Sequence, residues 1–231
     1  MARKSLLSTI FSHTALIIVC VIVGFPMLFT LAKSTQNNFE VFTPSFWPGS
    51  QIIQNYVDAW TMGNLARLMG NTILVAVCIM AGKTIFSLLA GTAFVYFRFP
   101  LKGPIFVFIL LTLMMPTDIL VVALFRLMFQ LHWSNTFQAL VIPFLASATG
   151  VFLFRQHFSN IPSDLADAAQ IDGAGPLRFL WSILIPISWN VIGALAMIQF
   201  VYVWNQYLWP LLIINDNNQQ LVQVALKGST L

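Results

Sequence analysis

The sequence predicts an all-α, polytopic membrane protein, and three observations support this fold class. Of the 231 residues, 58% are hydrophobic and only 8% are charged, whereas a soluble domain has about 25% charged residues. The apolar residues form long runs, close to the roughly 20 residues of helix that cross a bilayer. Polar residues concentrate between these runs. We therefore expect a single transmembrane domain over residues 1–231, without a separate soluble domain.

Five membrane spans are expected, with boundaries soft by a few residues. They run near Phe11–Leu31, Gly70–Phe97, Pro104–Phe125, Thr136–Phe154 and Ile187–Ile214. We interpret the first as an uncleaved helix rather than a signal peptide, because the run is long and no small-residue cleavage site follows it. The second is long enough to tilt or to project beyond the lipid. A short polar tail follows Asn218.

Basic residues in the short loops predict the orientation. The tight turn from Arg98 to Lys102 places two cations within a few residues of two helix ends. With this turn in the cytoplasm, the N-terminus is cytoplasmic too. Residues 32–67 are then extracytoplasmic and residues 156–186 are cytoplasmic.

The extracytoplasmic segment is expected to contain a short amphipathic helix. Apolar residues recur there at helical spacing, which gives one apolar face: Ile52, Ile53, Tyr56, Val57 and Trp60. Such a face usually packs on the protein's own outer surface. The alternative is a docking surface for an external binding protein.

Residues Ser163–Pro186 form the polar island of the chain and predict a helix, a turn and a second helix. Ser163 suits the N-cap of the first helix, and Asp164 places negative charge in its first turn, where the helix dipole favours it. Gly173 is suited to end that helix because it tolerates a positive φ. Pro176 suits the first turn of the next helix. From these signals alone, a hairpin lying on the membrane surface is an equally good interpretation.

The order of residues in this island resembles the EAA loop of ABC-transporter permeases. The matching positions are Asp167-Ala168-Ala169, Asp172-Gly173-Ala174, Phe179, Ile183 and Pro186, with Asp167 in place of Glu and Ile185 in place of Leu. Further segments resemble the carbohydrate-importer (maltose-permease-like) branch of that family over nearly the whole chain: Asn55-Tyr56, Asn71-Thr72 and Phe97-Arg98-Phe99-Pro100.

The resemblance implies a type I ABC importer permease in a bacterial inner membrane, with a sixth span expected beyond Leu231. It implies that the loop contacts an ATPase subunit through Asp164, Asp167, Ala168, Ala169, Asp172, Gly173 and Ala174. The implied partners are a second homologous permease, two ATPase subunits and an extracytoplasmic substrate-binding protein. ATP and Mg²⁺ are expected in the ATPase and no cofactor in this chain. Within that family, four segments look closest to permeases for sn-glycerol-3-phosphate: Lys83, Met115-Pro116, Phe154-Arg155-Gln156 and the run from Trp204 to Pro210. The cargo that this resemblance implies is sn-glycerol-3-phosphate, with a neutral sugar or oligosaccharide as the alternative.

Two charged residues lie inside predicted spans, where a cation without a partner costs a few kcal/mol or more. Lys83 and Asp118 are each 15 residues from the predicted cytoplasmic end of their span, or roughly 22 Å at the rise of an α-helix. A structural ion pair is the plainer interpretation. The alternative is that Lys83 attracts an anionic cargo, with Pro116 kinking the third span to open room for it.

Polar and aromatic residues also cluster late in the fifth span: Trp204, Asn205, Gln206 and Tyr207. Amide groups suit cargo hydroxyls, and the aromatic rings suit stacking on a polyol. Trp and Tyr near a helix end are equally typical of interfacial anchors. Both interpretations stay open.

Other function classes have little support in the sequence. Gly82-Lys83-Thr84 resembles the end of a phosphate-binding P-loop, but Val77 occupies the position of the first glycine. Cys20 and Cys78 lie in apolar runs, and neither a metal-ligand spacing nor a catalytic set is evident. The small net charge of +4 gives no indication of a nucleic-acid partner. A secondary transporter with Lys83 and Asp118 as its relay is the remaining rival, and it leaves residues 163–186 unexplained.

Overall fold

The computed structural model describes the backbone of residues 6–61 and 64–228 and the side chains of residues 10–61, 64–116 and 119–226. Regular structure within these ranges is helical, which confirms the all-α prediction. The chain divides into two compact units, Met1–Ala66 and Arg67–Leu231. The single domain predicted over residues 1–231 stays a prediction.

The first unit contains helices α1 (Leu6–Ser34), α2 (Asn38–Val41) and α3 (Ile52–Thr61). Helix α1 carries the first predicted span, with an apolar stretch of 25 residues. Helix α3 confirms the helix predicted from apolar spacing. Asn55 of α3 donates hydrogen bonds from Nδ2 to the carbonyls of Ser34 and Gln36, at 2.9 and 2.8 Å. These bonds hold α3 against the end of α1.

The second unit is built from α4 onwards. Its helices are α4 (Leu65–Tyr96), α5 (Lys102–Leu113), α6 (Thr117–Gln130), α7 (Phe137–Val141), α8 (Ala148–Ser159), α9 (Ser163–Ile171), α10 (Pro176–Phe179), α11 (Ile185–Ile187), α12 (Trp189–Trp204), α13 (Leu208–Ile213) and α14 (Val222–Gly228). A 3₁₀ turn at Ile142–Phe144 follows α7, and a π-helical turn at Leu180–Leu184 joins α10 to α11.

Three helical stretches of the described chain are long and apolar enough to cross a membrane: Ile10–Ser34, Leu65–Tyr96 and Phe137–Ser159. A fourth is obtained if the helices before and after Ser188, which meet at 82°, count as one span. The third predicted span is not one helix. It ends at Leu113 and resumes at Thr117, because Pro116 disfavours helical backbone at the residue before it. The two halves, α5 and α6, are about 18 and 21 Å long, which is short of a bilayer core.

The fifth predicted span also differs in the structure. Instead of one helix over residues 187–214, α12 begins after the bend at Ser188 and ends at Trp204, and α13 follows from Leu208. The segment predicted as a polar tail forms α14, and Leu221, Val222 and Val224 are buried. The backbone N–H of Val222 donates to Thr72 Oγ1 of α4 at 2.9 Å, so this end of the chain packs on α4.

Two apolar clusters form the core of the second unit. One surrounds the buried Trp209, whose indole N–H donates to the carbonyl of Ala139 at 3.1 Å. The other surrounds Phe154 and Phe158 of α8 and includes Leu88 of α4 and Leu195 of α12. The second cluster lies where α4, α8 and α12 meet the hairpin predicted over residues 163–186.

Close packing of α4 on α8 depends on a glycine. A Cβ atom added at Gly91 would lie 2.6 Å from Phe154 Cβ and 3.2 Å from the backbone nitrogen of Arg155. Neither group is free to move aside. Helix–helix contacts in membranes commonly use small residues in this way, because they let the backbones approach.

We expect Gly91→Ala to destabilise the protein by about 1–3 kcal/mol, since an overpacked contact forces the two helices apart. Gly70→Ala is the matched control, because Gly70 lies on the same helix with open space around its Cα. Removing that helical glycine should be neutral or stabilising by up to about 1 kcal/mol. Thermal unfolding of the purified protein in detergent measures both. Equal midpoints for the two variants would contradict the close contact.

Candidate functional site

The first helix of the hairpin is α9, and a complete Schellman motif ends this helix. The N–H of Ala174 donates to the carbonyl of Ala169 at 2.8 Å, and the N–H of Gly173 donates to that of Gln170 at 3.0 Å. Gly173 has a φ of +71°, as the sequence predicts for the residue that ends such a helix. The helix start was predicted one residue late: Ser163 is the first helical residue, Pro162 is the N-cap, and no side-chain cap bond forms there.

The second half of the hairpin leads continuously into the bundle. Pro176 occupies the first position of α10, as predicted. The chain then passes through the π-helical turn and α11 to Ser188, where it bends into α12. The hydroxyl of Ser188 is buried and lies 3.0 Å from Nε2 of His157 on α8. This contact joins the bend between the hairpin and α12 to α8.

The inner face of the hairpin packs on the end of α4. Phe179 is buried and meets the ring of Tyr96 edge-on, with centroids 5.1 Å apart. A groove of about 210 Å³ lies between Thr92 and Tyr96 on one side and Ala166 and Ala169 on the other. Ala169, one of the residues predicted to contact an ATPase subunit, is buried in the second apolar cluster. It therefore helps to hold the hairpin on the bundle.

The outer face of the hairpin is exposed. It carries the carboxylates of Asp164, Asp167 and Asp172, and the small residues Ala168 and Gly173 are exposed among them. Ile171 is 86% exposed and Leu177 is also mostly exposed. A face with protruding apolar side chains, acidic groups and a helix-ending glycine is typical of a contact surface for another protein.

A second candidate site is the buried cation of α4. Lys83 is 8% exposed, and its ammonium donates a hydrogen bond to Oε1 of Gln199 on α12 at 3.0 Å. The same ammonium lies 5.3 Å from the ring centroid of Tyr202, one turn further along α12. Gln199 is 7% exposed. Lys83 therefore joins α4 to α12 through two neutral groups.

The side chain of Asp118 lies outside the described residues, so the predicted ion pair with Lys83 stays a prediction. Its backbone belongs to the first turn of α6, directly after the break at Pro116. The sequence did not identify Gln199 or Tyr202 as partners of Lys83. The available signal was the amide of Gln199 in the apolar run of α12, because polar groups inside spans are commonly functional.

The residues predicted late in the fifth span lie at the end of α12 and in the break after it. Asn205 is the C-cap and donates from Nδ2 to the carbonyl of Val201 at 2.8 Å. Trp204 stacks on Phe200, with ring centroids 5.7 Å apart. Gln206 and Tyr207 are half-buried in the break. The structure thus places this cluster one turn or more beyond the contact of Lys83 with Gln199.

Fold and site together define a multi-pass membrane protein that presents an exposed helical hairpin at one end of its second unit. Residues 83–230 match the family model for the inner membrane component of binding-protein-dependent transport systems. The chain belongs to this family.

Similar proteins extend the match to nearly the full chain. The sn-glycerol-3-phosphate transport system permease protein of Rhizobium meliloti is 39% identical over 98% of this chain and 84% of its own length. That of Salmonella typhi is 40% identical over 95% of this chain and 81% of its own length. A crystal structure of a bacterial ABC transporter involved in alginate import has a TM-score of 0.87 at 21% identity, covering 99% of this chain and 83% of that one. This last likeness shows the fold.

Proposed function

We propose that the chain is a permease subunit of an ATP-driven, binding-protein-dependent importer of sn-glycerol-3-phosphate. The observation that carries the proposal is the identity of about 40% with permeases of that transport system, over nearly the full chain. The family places the protein in the inner membrane. The N-terminus is proposed to be cytoplasmic, from the basic turn between Arg98 and Lys102.

The hairpin over residues 163–186 is proposed to contact the ATPase. Its outer face carries Asp164, Asp167, Asp172 and the exposed Ile171, and its inner face is anchored by Phe179. A surface that is both exposed and firmly attached to the bundle suits the transmission of movement. ATP and Mg²⁺ belong to that partner subunit, and this chain has no part in hydrolysis.

Movement of the hairpin has two direct routes into the membrane spans. One is the contact of Phe179 with Tyr96 at the end of α4. The other is the covalent path from α10 through the bend at Ser188 to α12. The hydrogen bond between Lys83 and Gln199 joins the same two helices. We therefore propose that displacement of the hairpin shifts α4 relative to α12 and alters this contact.

Lys83 is proposed to line the cargo pathway and to attract the phosphate group of the cargo. The positive charge is buried, and its described neighbours Gln199 and Tyr202 leave that charge uncompensated. A phosphate group would offer a charge-assisted hydrogen bond to the ammonium. The pathway is proposed to extend along the cluster at the end of α12, which comprises Trp204, Asn205, Gln206 and Tyr207. Asp118 is proposed to line it as well, next to the break between α5 and α6 at Pro116. A second, homologous permease would supply the other half, and an extracytoplasmic binding protein would deliver cargo.

Uptake into proteoliposomes tests the proposed function. The chain is reconstituted with its partner permease and ATPase, and radiolabelled sn-glycerol-3-phosphate is supplied with the binding protein outside. We expect uptake that requires enclosed ATP and is insensitive to collapse of ion gradients. Uptake that follows an imposed ion gradient without ATP would instead identify a secondary transporter. Uptake of radiolabelled maltose in the same proteoliposomes, without uptake of sn-glycerol-3-phosphate, would assign a neutral sugar as the cargo.

A further inference from the structure

The segment that follows α1 folds back along the apolar surface of that helix. The ring of Phe46 lies 5.4 Å from the centroid of Phe29 and 5.9 Å from that of Phe25. Both partners precede the end of α1 at Ser34, by five and nine residues. Phe46 therefore lies beside α1 well before its end, about 7–13 Å along the helix axis from Ser34.

This level is inside the hydrocarbon region. The uninterrupted apolar run of α1 extends over residues 15–29, with Ile22 at its centre. A bilayer core of about 30 Å corresponds to roughly ten helical residues on each side of that centre. Its edge then falls near Ala32. Phe29 and Phe25 lie about 4 and 10 Å inside this edge, and Phe46 lies beside them.

The aromatic side chains next to Phe46 point away from the protein. Phe39 is 86% exposed and Phe42 is 90% exposed within the described chain, and Trp47 is mostly exposed as well. These three, with Phe46, form an aromatic patch on residues 38–47. Aromatic residues at a membrane surface are typical interfacial anchors.

Four backbone carbonyls of this segment accept hydrogen bonds from side chains of the protein, which replace the water that lipid does not supply. The ammonium of Lys33 donates to the carbonyls of Glu40 and Thr43, at 3.1 and 2.6 Å. The amide of Gln36 donates to the carbonyl of Trp47 at 2.7 Å and to that of Ser45 at 3.4 Å. In lipid these carbonyls would have no water to bind, so the side-chain donors remove a cost that burial would otherwise impose.

The N–H groups at the start of α2 are satisfied in the same way. Asn37 Oδ1 accepts from the N–H groups of Phe39 and Glu40, at 3.0 and 2.9 Å. Glu40 Oε2 accepts in return from the N–H of Asn37 at 3.2 Å. In this capping box, side chains of the segment itself bind the N–H groups at the start of α2.

Three observations support one inference: the depth of Phe46, the exposed rings and the side-chain hydrogen bonds to the carbonyls of the segment. We infer that residues 38–47 are an aromatic anchor, embedded in the lipid interface at the Ser34 end of α1. The occupant of the exposed aromatic patch is the bilayer itself. Phe39, Phe42 and Trp47 insert between acyl chains and headgroups, while Lys33 lies at the headgroup level. The aromatic anchor fixes the depth of α1 in the membrane and the position of the chain after residue 47.

Spin-label accessibility tests this inference on the full chain. Cys20 and Cys78 are replaced by alanine, and single nitroxides are attached to Phe39→Cys, Phe42→Cys and the control Ser50→Cys. Ser50 is exposed in the same unit, outside the aromatic patch. The protein, with its partner subunits, is placed in nanodiscs of phosphatidylethanolamine and phosphatidylglycerol. Collision rates are measured with oxygen, which concentrates in lipid, and with a water-soluble nickel chelate.

We expect the ratio of oxygen to nickel accessibility at positions 39 and 42 to exceed that at position 50 by at least threefold. Equal ratios at the three positions would place the segment in water and overturn the inference. Low accessibility to both reagents at positions 39 and 42 would also overturn it, because the patch would then be covered by another subunit. The result does not depend on cargo or on ATP.

Discussion

Gly173→Asp is expected to abolish ATP-driven uptake while the chain still inserts and assembles in the membrane. Gly173 ends α9 on the exposed face of the hairpin, and a Cβ atom there meets nothing within 4 Å. The added side chain therefore meets no atom of the bundle, and the backbone strain of a side chain at a φ of +71° is confined to the turn after α9. The variant adds a fourth carboxylate beside Asp164, Asp167 and Asp172. If an ATPase subunit packs closely on this face, the contact buries the new carboxylate away from water. An unpaired buried charge is costly.

Two further variants separate the possible causes. Asn is tolerated at positive φ more readily than most residues, so Gly173→Asn adds similar bulk without the charge and should retain part of the uptake. Gly103→Asp adds the same carboxylate in the first turn of α5, again with open space around the Cα, and should transport normally. Uptake is measured in proteoliposomes, and insertion by the yield of purified complex. Normal uptake by Gly173→Asp would show that the hairpin does not contact the ATPase at this point.

The hairpin was largely predictable from the sequence because its shape follows from local rules. Gly173 ends α9 with a positive φ and Pro176 starts α10, as expected for a helix-ending glycine and a proline in a first helical turn. The helix start was displaced by one residue, from Ser163 as cap to Pro162. Helix ends are commonly uncertain by this amount.

The spans were predictable as apolar segments but not as helices of given length. Hydropathy measures whether a segment tolerates lipid, and a bent or broken helix satisfies it as well as a straight one. The breaks at Pro116, at Ser188 and after Trp204 therefore did not follow from apolarity. Pro116 did signal a disturbance, which the structure shows to be a complete interruption. At the bend, Ser188 contacts His157, which is 31 residues distant in sequence, and such a contact cannot be read from hydropathy.

The partners of Lys83 illustrate the same limit. Depth along the helices predicts that this residue lies well inside its span, but depth alone does not determine which helix is its neighbour. The contact with Gln199 joins residues 116 positions apart, and it requires the packing of α4 on α12. The helix α14 was missed for a similar reason, since its short apolar face is evident only once Val222 is packed on Thr72.

Neutralising Lys83 is expected to reduce uptake of sn-glycerol-3-phosphate by roughly 10- to 100-fold. A hydrogen bond to a charged group contributes about 1.5–3 kcal/mol, and each 1.4 kcal/mol is a factor of ten. Lys83→Gln removes the charge, whereas Lys83→Arg retains it and should keep more activity. Gln199→Glu leaves Lys83 in place but sets a carboxylate beside its ammonium, so it should also impair uptake of an anionic cargo.

Stability distinguishes this role from a structural ion pair with Asp118. If Lys83 and Asp118 were paired, Lys83→Gln would leave a buried carboxylate unpaired and destabilise the protein by about 3–5 kcal/mol. Asp118→Asn would then restore much of that loss in the double variant. If Lys83 binds cargo, thermal unfolding of Lys83→Gln stays close to that of the natural protein while uptake falls. Normal uptake by both Lys83→Gln and Gln199→Glu would remove this site from the cargo pathway, whatever the stability of the variants.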